Sequence, residues 1–168
     1  MKNKRDYRLL AKNIRKNLDL VKLSQTLTKT ILQDVDFIKA NHVMIYYPLD
    51  NELDFRGLLA ENKNFYLPKM DGNSLVVCPY CDELICGKFN IMEPCSEPVN
   101  PDILDFVLVP ALMVDKNCNR LGYGAGYYDR FLKKCVNAVK VVALPKELLV
   151  DLLPFDEHDV KVDKILIN

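Results

Sequence analysis

Short apolar runs that end at a proline constrain the fold of this 168-residue chain more than any other feature. Three of them are rich in β-branched and aromatic side chains and stop directly before a proline, at residues 43–47, 65–67 and 106–109. Such runs predict buried strands, because proline has no N–H group with which to continue the hydrogen bonds of a strand. Residues 139–144 and 164–167 predict two further strands by their apolar composition.

Apolar residues at helical spacing lie before and between the predicted strands. They form three stripes: Leu9, Leu10, Ile14 and Leu18; Leu23, Leu27, Ile31 and Val35, with Ser24 as the expected N-cap; and Tyr128, Phe131, Leu132 and Cys135. Short helices are predicted at residues 55–61 and 148–153, a turn at 71–72, a hairpin arm at 74–80 and a loop at 86–101.

Strands that alternate with helices predict an α/β fold. We expect three layers, in which helices cover both faces of a mostly parallel sheet of the Rossmann-like or CoA-transferase-like kind, with a small hairpin extension. The length suits a single domain over residues 1–168. In such sheets, ligands bind at the carboxyl ends of the strands, so the residues that follow a strand are the first candidates for a site.

The charge balance argues against nucleic-acid partners. Lysine plus arginine and aspartate plus glutamate number 23 each, so no broad basic field favours nucleic acid. No apolar run reaches membrane-spanning length, and the N-terminus has no apolar signal segment. We therefore expect a soluble cytoplasmic protein, a monomer or a weak dimer, without membrane partners. The basic residues near the N-terminus, among them Lys4, Arg8 and Arg15, predict a solvated helix face.

The six cysteines are expected to be reduced thiols, since the chain carries no export signal. Four of them form an irregularly spaced set: Cys78, Cys81, Cys86 and Cys95. A zinc site needs a second ligand pair at a suitable distance, so this spacing favours small apolar side chains over metal ligands.

Residues 120–132, RLGYGAGYYDRFL, carry the strongest functional signal. Gly122, Gly124 and Gly126 alternate between the strand predicted at 106–109 and the third predicted helix. Glycine lets backbone N–H groups point into a concavity, and a helix start adds a positive dipole, so the stretch favours a bound phosphate. Neither the P-loop nor the dinucleotide-binding pattern is met, and a plain glycine-rich turn stays an open alternative.

Asp129 favours a phosphate site that uses a metal ion. A carboxylate repels a phosphate unless a cation lies between them, and Mg²⁺ is the usual mediator. A second acidic cluster, residues 156–159, precedes the last predicted strand and could reach the same rim. The alternative, in which Asp129 only complements the start of a helix, also stays open.

Residues 120–132 closely resemble the signature of the 5-formyltetrahydrofolate cyclo-ligase family, also called methenyltetrahydrofolate synthetases. Weaker matches extend the resemblance over nearly the whole chain: residues 4–8, 46–54, 88–94, 108–112 and 158–163. The resemblance implies conversion of 5-formyltetrahydrofolate to 5,10-methenyltetrahydrofolate with ATP and Mg²⁺, through phosphorylation of the formyl oxygen and ring closure, with release of ADP and phosphate. Phosphoryl transfer depends on positioning and charge neutralisation, so it requires no protein nucleophile.

The resemblance also implies roles for individual residues. ATP would contact the first helix and the glycine stretch, through Lys4, Arg5, Arg8, Arg120, Leu121, Gly122, Tyr123, Gly124, Ala125, Gly126, Tyr127 and Tyr128. The folate would contact Tyr47, Glu52, Tyr123, Gly124, Ala125, Gly126 and Tyr127, with Glu52 pairing to the N–H edge of the pterin. Asp129 and Asp159 would hold Mg²⁺.

Two other functions stay open on the sequence. One is a related α/β enzyme that acts on a sugar phosphate, which would keep the glycine stretch but would not need Glu52. The other is a folate-binding module that stores 5-formyltetrahydrofolate without turnover. Its support is residues 143–149, where Pro145 and Leu148 replace an aromatic residue and a glutamine that are common in the family.

Overall fold

A mostly parallel sheet forms the centre of the protein. The computed structural model describes residues 3–168, so Met1 and Lys2 of the predicted domain lie outside the described residues. The helices are α1 (Lys4–Arg15), α2 (Leu20–Leu32), α3 (Val35–Lys39) and α4 (Tyr127–Leu132). The strands are β1 (His42–Met44), β2 (Asn64–Asp71), β3 (Ser74–Pro79), β4 (Leu84–Cys86), β5 (Met92–Pro94), β6 (Phe106–Leu108), β7 (Met113–Asp115), β8 (Arg120–Leu121), β9 (Val139–Leu144), β10 (Leu149–Val150) and β11 (Lys164–Ile167).

The main sheet has six strands in the order β11-β9-β6-β1-β2-β3. All neighbouring strands in it are parallel except β2 and β3, which form the expected antiparallel hairpin. From the β1–β6 pair, the neighbouring strands continue to β2 on one side and to β9 on the other. Ligands bind at such a switch point in open α/β sheets, because the loops leave the strand ends in opposite directions.

Two apolar cores cover the two faces of the main sheet, which confirms the predicted α/β fold. Successive residues of β1 point to opposite faces, so Val43 belongs to one core and Met44 to the other. The Met44 core includes Ala11 of α1 and Phe131 of α4, and the Val43 core includes Leu27 of α2 and further residues of α3. The glycine stretch and the N-terminal helix therefore belong to the same face.

The prediction that Pro68 ends a strand was wrong. β2 continues through it to Asp71, and Pro68 pairs in register with Val77 of β3. The parallel neighbour β1 pairs only with residues 64–66 of β2, so the missing N–H group of Pro68 faces no partner strand on that side. Pro68 is tolerated because, at this position, β2 has no hydrogen-bonded neighbour on its β1 side.

Several helix predictions also need correction. Leu23, Leu27 and Ile31 of the second stripe belong to α2. This helix starts after the N-cap Asp19, whose side chain accepts from the N–H group of Lys22, so Ser24 lies inside the helix and is not its N-cap. Val35 belongs to the separate helix α3 and is exposed, as is Leu9 of α1. The segments at 55–61 and 148–153 form short 3₁₀ turns at Arg56–Ala60 and Lys146–Leu148, the second followed by β10.

One segment predicted to be a loop contains a strand, and another segment contains strands that the sequence did not predict. Residues 86–101 include β5, which pairs with β4 in a small antiparallel hairpin. Between β6 and the glycine stretch lie β7 and β8, which form a three-stranded sheet with β10. The glycines at 122–126 therefore follow the short strand β8 and not, as predicted, the buried strand β6. The sequence did not reveal β8, because a two-residue strand gives too weak a pattern to recognise.

Candidate active site

A cavity of about 650 Å³ opens at the carboxyl ends of β1, β2 and β6. Its walls are the segment after β1, the end of β2, the start of the segment after β6, the glycine stretch and one side of α1. All the residues predicted to bind nucleotide, folate or metal line this cavity except Arg5, which is exposed and lies outside the lining. The structure thus brings these predicted site residues together in one cavity.

Helix α1 presents basic side chains to the cavity. Its start is fixed by a capping box, in which the Asn3 side chain accepts from the N–H group of Asp6 and the Asp6 carboxylate accepts from the N–H group of Asn3, each at 3.0 Å. Lys4 and Arg8, one turn apart, both line the cavity. The prediction of a solvated basic face was therefore wrong for these two residues.

The glycine stretch needs glycine for its backbone conformation and for close packing. Gly124 and Gly126 have φ angles of +112° and +70°, which side chains with a Cβ rarely adopt. A Cβ on Gly126 would lie 2.7 Å from Nη1 of Arg130, and one on Gly124 would lie 3.2 Å from Cζ of Arg8. Both glycines therefore allow a guanidinium group to approach the loop.

The loop keeps its backbone N–H groups available. Nε of Arg8 donates to the carbonyl of Gly122 at 2.9 Å, and Nη2 of Arg130 donates to the carbonyl of Ala125 at 3.0 Å. Within the described part of the chain, the N–H groups of residues 122–126 donate to no protein acceptor. Two guanidinium groups beside free amide donors make a concave surface that suits an anion.

Asp129, on the first turn of α4, is paired with a buried arginine. Its Oδ1 accepts from Nη2 of Arg120 at 2.9 Å and from the N–H group of Val160 at 3.2 Å. The Arg120 side chain is 3% exposed and also donates to the carbonyl of Pro110 at 3.1 Å. Asp129 therefore does more than complement a helix start, because it neutralises a buried guanidinium and fixes the segment at residue 160.

Lys4 joins this acidic group from the opposite side. Its Nζ lies 2.5 Å from Oδ2 of Asp159 and 2.6 Å from Oδ2 of Asp156. Burial lowers the pKa of Lys4, but the hydrogen bonds and charges of the two aspartates outweigh it and raise the pKa above its usual value. The ammonium group therefore stays charged at neutral pH.

The two aspartates fit a metal ion that arrives with a phosphate ligand. Within residues 3–168, Oδ2 of Asp129 and Oδ1 of Asp159 accept no hydrogen bond, and both residues also line a smaller cavity of about 340 Å³. The same residues contain no group of three or more histidine, cysteine, aspartate and glutamate side chains arranged to hold a metal. Mg²⁺ commonly uses one or two carboxylates and takes its other ligands from water and phosphate.

Glu52 lies in the loop after β1, among phenol groups. Its Oε2 accepts from the N–H group of Leu49 at 2.8 Å. Burial raises the pKa of Glu52, although the Leu49 hydrogen bond, the Tyr123 hydroxyl and the charge of Arg15 partly oppose this. Burial, and next the charge of Glu52, raise the pKa of Tyr123 and of Tyr128, so both phenols remain protonated donors.

Tyr47 is held at the cavity wall by a polar chain. Its hydroxyl accepts from Nη1 of Arg56 at 2.8 Å, and the guanidinium lies 4.8 Å from the centre of the Tyr47 ring. Arg56 in turn pairs with Asp54 at 2.6 Å. The ring is thereby fixed in the lining of the cavity that also contains Glu52, as a flat surface on which a planar ligand could stack.

Sequence reasoning missed two charged residues near the cavity. Glu93 is 6% exposed, lines the cavity and accepts from the N–H group of Met70 at 3.0 Å. Arg15 is 4% exposed although it belongs to the basic run predicted to be solvated. The resemblance at residues 88–94 pointed toward Glu93, but no local signal marked Arg15. Residues 143–149 do not line the cavity, and His158 is exposed and lines only the smaller one.

The fold and the cavity define an α/β protein of the class that binds its ligands at the carboxyl edge of a parallel sheet. The model of the 5-formyltetrahydrofolate cyclo-ligase family matches residues 2–168. The chain belongs to this family of folate enzymes of one-carbon metabolism, and the predicted resemblance is confirmed. In residues 3–168, no helix combines the length and apolar character needed to cross a membrane.

Individual relatives agree with the family. The 5-formyltetrahydrofolate cyclo-ligase of Mus musculus is 29% identical over 164 residues, covering 85% of this chain and 81% of that protein. The enzyme of the same name from Haemophilus influenzae is 29% identical over 176 residues, covering 94% and 93%. The NMR structure of Aquifex aeolicus 5,10-methenyltetrahydrofolate synthetase is 34% identical, has a TM-score of 0.87 and covers 98% of this chain and 89% of that one. A Mycoplasma pneumoniae synthetase, 21% identical with a TM-score of 0.77, supports the fold.

Proposed function

We propose that this chain converts 5-formyltetrahydrofolate to 5,10-methenyltetrahydrofolate, consuming ATP in the presence of Mg²⁺ and releasing ADP and phosphate. The observation that carries the proposal is one cavity that is lined by the glycine stretch, with its unpaired N–H groups at residues 122–126, and by two polar groups. One group contains Lys4, Asp129 and Asp159, and the other contains Tyr47 and Glu52. We also propose that residues 1–168 form the single domain that carries this site.

The basic and amide groups of the cavity suit the triphosphate. Arg8 and the N–H groups of residues 122–126 would contact phosphate oxygens, since donors of this kind bind a planar or tetrahedral anion well. Lys4 would add a charge if its ammonium moved from Asp159 to a phosphate. Asp129 and Asp159 would hold Mg²⁺, which supplies charge neutralisation at the transferred phosphoryl group.

The second group suits the folate. The Glu52 carboxylate would accept hydrogen bonds from the N–H edge of the pterin, and the ring of Tyr47 or Tyr123 would cover its flat face. This arrangement would place the formyl oxygen toward the terminal phosphate of ATP. The oxygen would attack that phosphorus and release ADP. The ring-closing nitrogen would then attack the formyl carbon, lose its proton, and expel the formyl oxygen with the phosphate.

The altered residues 143–149 were the support for a folate-storage function. They lie outside the cavity lining, so this support is removed. An enzyme that acts on a sugar phosphate would not need the polar group that contains Tyr47 and Glu52, so this alternative leaves that group unexplained. Absorbance of the methenyl product, with and without ATP and Mg²⁺, tests the proposal. We expect product only when both are present. Folate binding without phosphate release would support storage, and absence of folate binding would contradict the proposed function.

A further inference from the structure

Arg15, the last residue of α1, buries a positive charge beneath the cavity. It is 4% exposed, whereas the neighbouring basic residues Lys12 and Lys16 are exposed. Nη1 of Arg15 donates to the carbonyl of Asn51 at 3.0 Å, and Nη2 donates to the carbonyl of Ala111 at 2.6 Å. Its Nε is buried without a hydrogen-bond partner. Arg15 itself does not line the cavity.

The stability of the fold does not account for this residue. A buried guanidinium is costly unless a carboxylate lies against it, and within residues 3–168 no carboxylate lies within 4.0 Å of Arg15. An apolar side chain of similar volume would avoid that cost. The positive charge of Arg15 therefore has a role that an apolar side chain could not perform.

The two carbonyls that Arg15 binds belong to two different loops, each next in sequence to a residue that lines the cavity. Asn51 precedes Glu52 in the loop after β1, and Ala111 follows Pro110, whose carbonyl accepts from Arg120. β1 and β6 are neighbours in the main sheet, so one guanidinium ties the loops at both of their carboxyl ends. The loop that carries Glu52 is thereby fixed to the rest of the site.

Groups from four parts of the structure interact electrostatically with Glu52, and Arg15 is the cation that lowers its pKa. Arg15 belongs to α1, Tyr46 to the segment after β1, Tyr123 to the glycine stretch and Tyr128 to α4. The three phenols are neutral, and burial is the main reason for their raised pKa values. The charge of Arg15 therefore opposes the effect of burial, which otherwise favours a protonated Glu52.

We propose that Arg15 is a positioning residue for the folate half of the reaction, which fixes the loop carrying Glu52 through the Asn51 carbonyl and supplies a positive charge that acts on the Glu52 carboxylate. The inference rests on the proposed function, because it assigns Glu52 to the pterin. An ionised carboxylate accepts N–H hydrogen bonds at both oxygens, whereas a protonated carboxyl presents an O–H donor at one of them, so the charge of Arg15 should act on folate binding through Glu52 and not on ATP.

Two substitutions separate the charge from the hydrogen bonds. Arg15→Gln keeps an N–H donor and loses the charge, and Arg15→Lys keeps the charge. We expect Arg15→Gln to raise the KM for 5-formyltetrahydrofolate about tenfold with the KM for ATP nearly unchanged. The acidic limb of kcat/KM for the folate should move to higher pH in Arg15→Gln and stay near the native position in Arg15→Lys. Lys12→Met, at an exposed position of the same helix, is the matched control and should change none of these values.

A measurement without turnover keeps the two proposals distinguishable. The pKa of the Glu52 carboxyl can be followed by NMR in protein labelled with ¹³C-glutamate, with Glu52→Gln to assign the signal. We expect this pKa to rise in Arg15→Gln and not in Arg15→Lys. An unchanged pKa in folded Arg15→Gln, or equal losses for folate and ATP with only a lower Tm, would overturn the role of Arg15. Failure of the native protein to form product, with the pKa rise present, would instead overturn the proposed function and the folate role with it.

Discussion

The ammonium group of Lys4 lies 2.5 Å from a carboxylate oxygen of Asp159, so a proposed phosphate contact and a proposed metal ligand are paired with each other. A metal ion at Asp159 must compete with this ammonium group. The same ammonium group becomes available to a phosphate once the ion has displaced it. We therefore expect the metal to bind poorly alone and well together with the nucleotide.

Lys4→Met should raise the affinity for Mn²⁺ alone and weaken the binding of ATP. The first effect follows because the competing charge is removed, and the gain should be a few-fold because the pair is partly exposed to solvent. Electron paramagnetic resonance of free Mn²⁺ measures the first, and calorimetry with ATP the second. Lys12→Met serves as the control. Weaker Mn²⁺ binding in Lys4→Met would mean that Lys4 helps to form the metal site instead of competing for it.

Asp129→Ala should abolish Mg²⁺-dependent turnover and also destabilise the protein. The substitution leaves the guanidinium of Arg120 buried with the carbonyl of Pro110 as its remaining hydrogen-bond partner, at a cost of about 3 kcal/mol. Denaturant unfolding measures the cost, and turnover is assayed well below the new Tm. If Asp129 only complemented the start of α4, Asp129→Ala would lose under about 1 kcal/mol of unfolding free energy and keep its turnover. A small loss of stability together with intact turnover would exclude Asp129 from the metal site.

Glu52→Gln should weaken folate binding and spare ATP. The amide keeps the shape of the carboxylate but presents an N–H₂ group to the pterin, so the KM for the folate should rise at least tenfold. Since the pKa of Glu52 is raised, folate binding by the native protein should weaken as the pH falls through that pKa, above the usual range of a glutamate. Glu52→Gln should lack this acidic limb. Parallel losses for both substrates would contradict the assignment.

Gly126→Ala should impair ATP binding beyond its effect on stability. Gly126 and Gly72 have φ angles of +70° and +59°, so alanine at either costs about 1 kcal/mol of backbone strain. A Cβ at Gly72 meets nothing within 4 Å, whereas one at Gly126 would lie 2.7 Å from Nη1 of Arg130. Gly72→Ala is therefore the matched control. We expect both variants to lose a similar amount of Tm, and only Gly126→Ala to have a higher KM for ATP. Equal kinetics in the two variants would exclude the loop from the nucleotide site.

Asp115→Ala should cost about 3 kcal/mol of unfolding free energy without a specific effect on substrate binding. The Asp115 carboxylate is fully buried and accepts from the N–H groups of Asn117, Asn119 and Leu153 and from Nδ2 of Asn119. Burial raises its pKa, but these hydrogen bonds outweigh burial and lower the pKa.

The stability contributed by Asp115 depends on pH with a definite sign. Because the pKa is lower in the folded state, the contribution is fully present above the unfolded pKa of about 3.9 and is lost as the pH falls through the folded value. The difference in unfolding free energy between native protein and Asp115→Ala should therefore shrink below about pH 4. A difference that stays constant down to acid unfolding would show that the carboxylate charge contributes nothing.

The main sheet was predictable because its signal is local. The run at 106–109 is buried and apolar at every position, and the run at 139–144 is apolar except for Lys140 and is buried from Val141 onward. The continuation of β2 through Pro68 was not predictable, because it depends on where β1 ends beside it. The strands β8 and β10 were missed because two residues are too few to show a periodic apolar pattern.

The site was predictable where its residues are adjacent in sequence. The glycine stretch and Asp129 lie within residues 120–132, and their pattern was sufficient to suggest an anion and a metal. The pairing of Lys4 with Asp159 joins residues 155 positions apart, so no local pattern contains it. Arg15 was misread because a basic residue on a helix is usually exposed, and its burial depends on carbonyls of two distant loops.

Helix α1 holds Lys4 at its first turn and Arg15 at its last, 11 positions further along a rigid rod, or about 17 Å. One helix therefore contributes to both halves of the proposed site, with the phosphate contact at one end and the anchor of the Glu52 loop at the other. A substitution that shortens or tilts α1 as a whole should disturb the binding of both substrates, whereas a substitution at one end should disturb one of them.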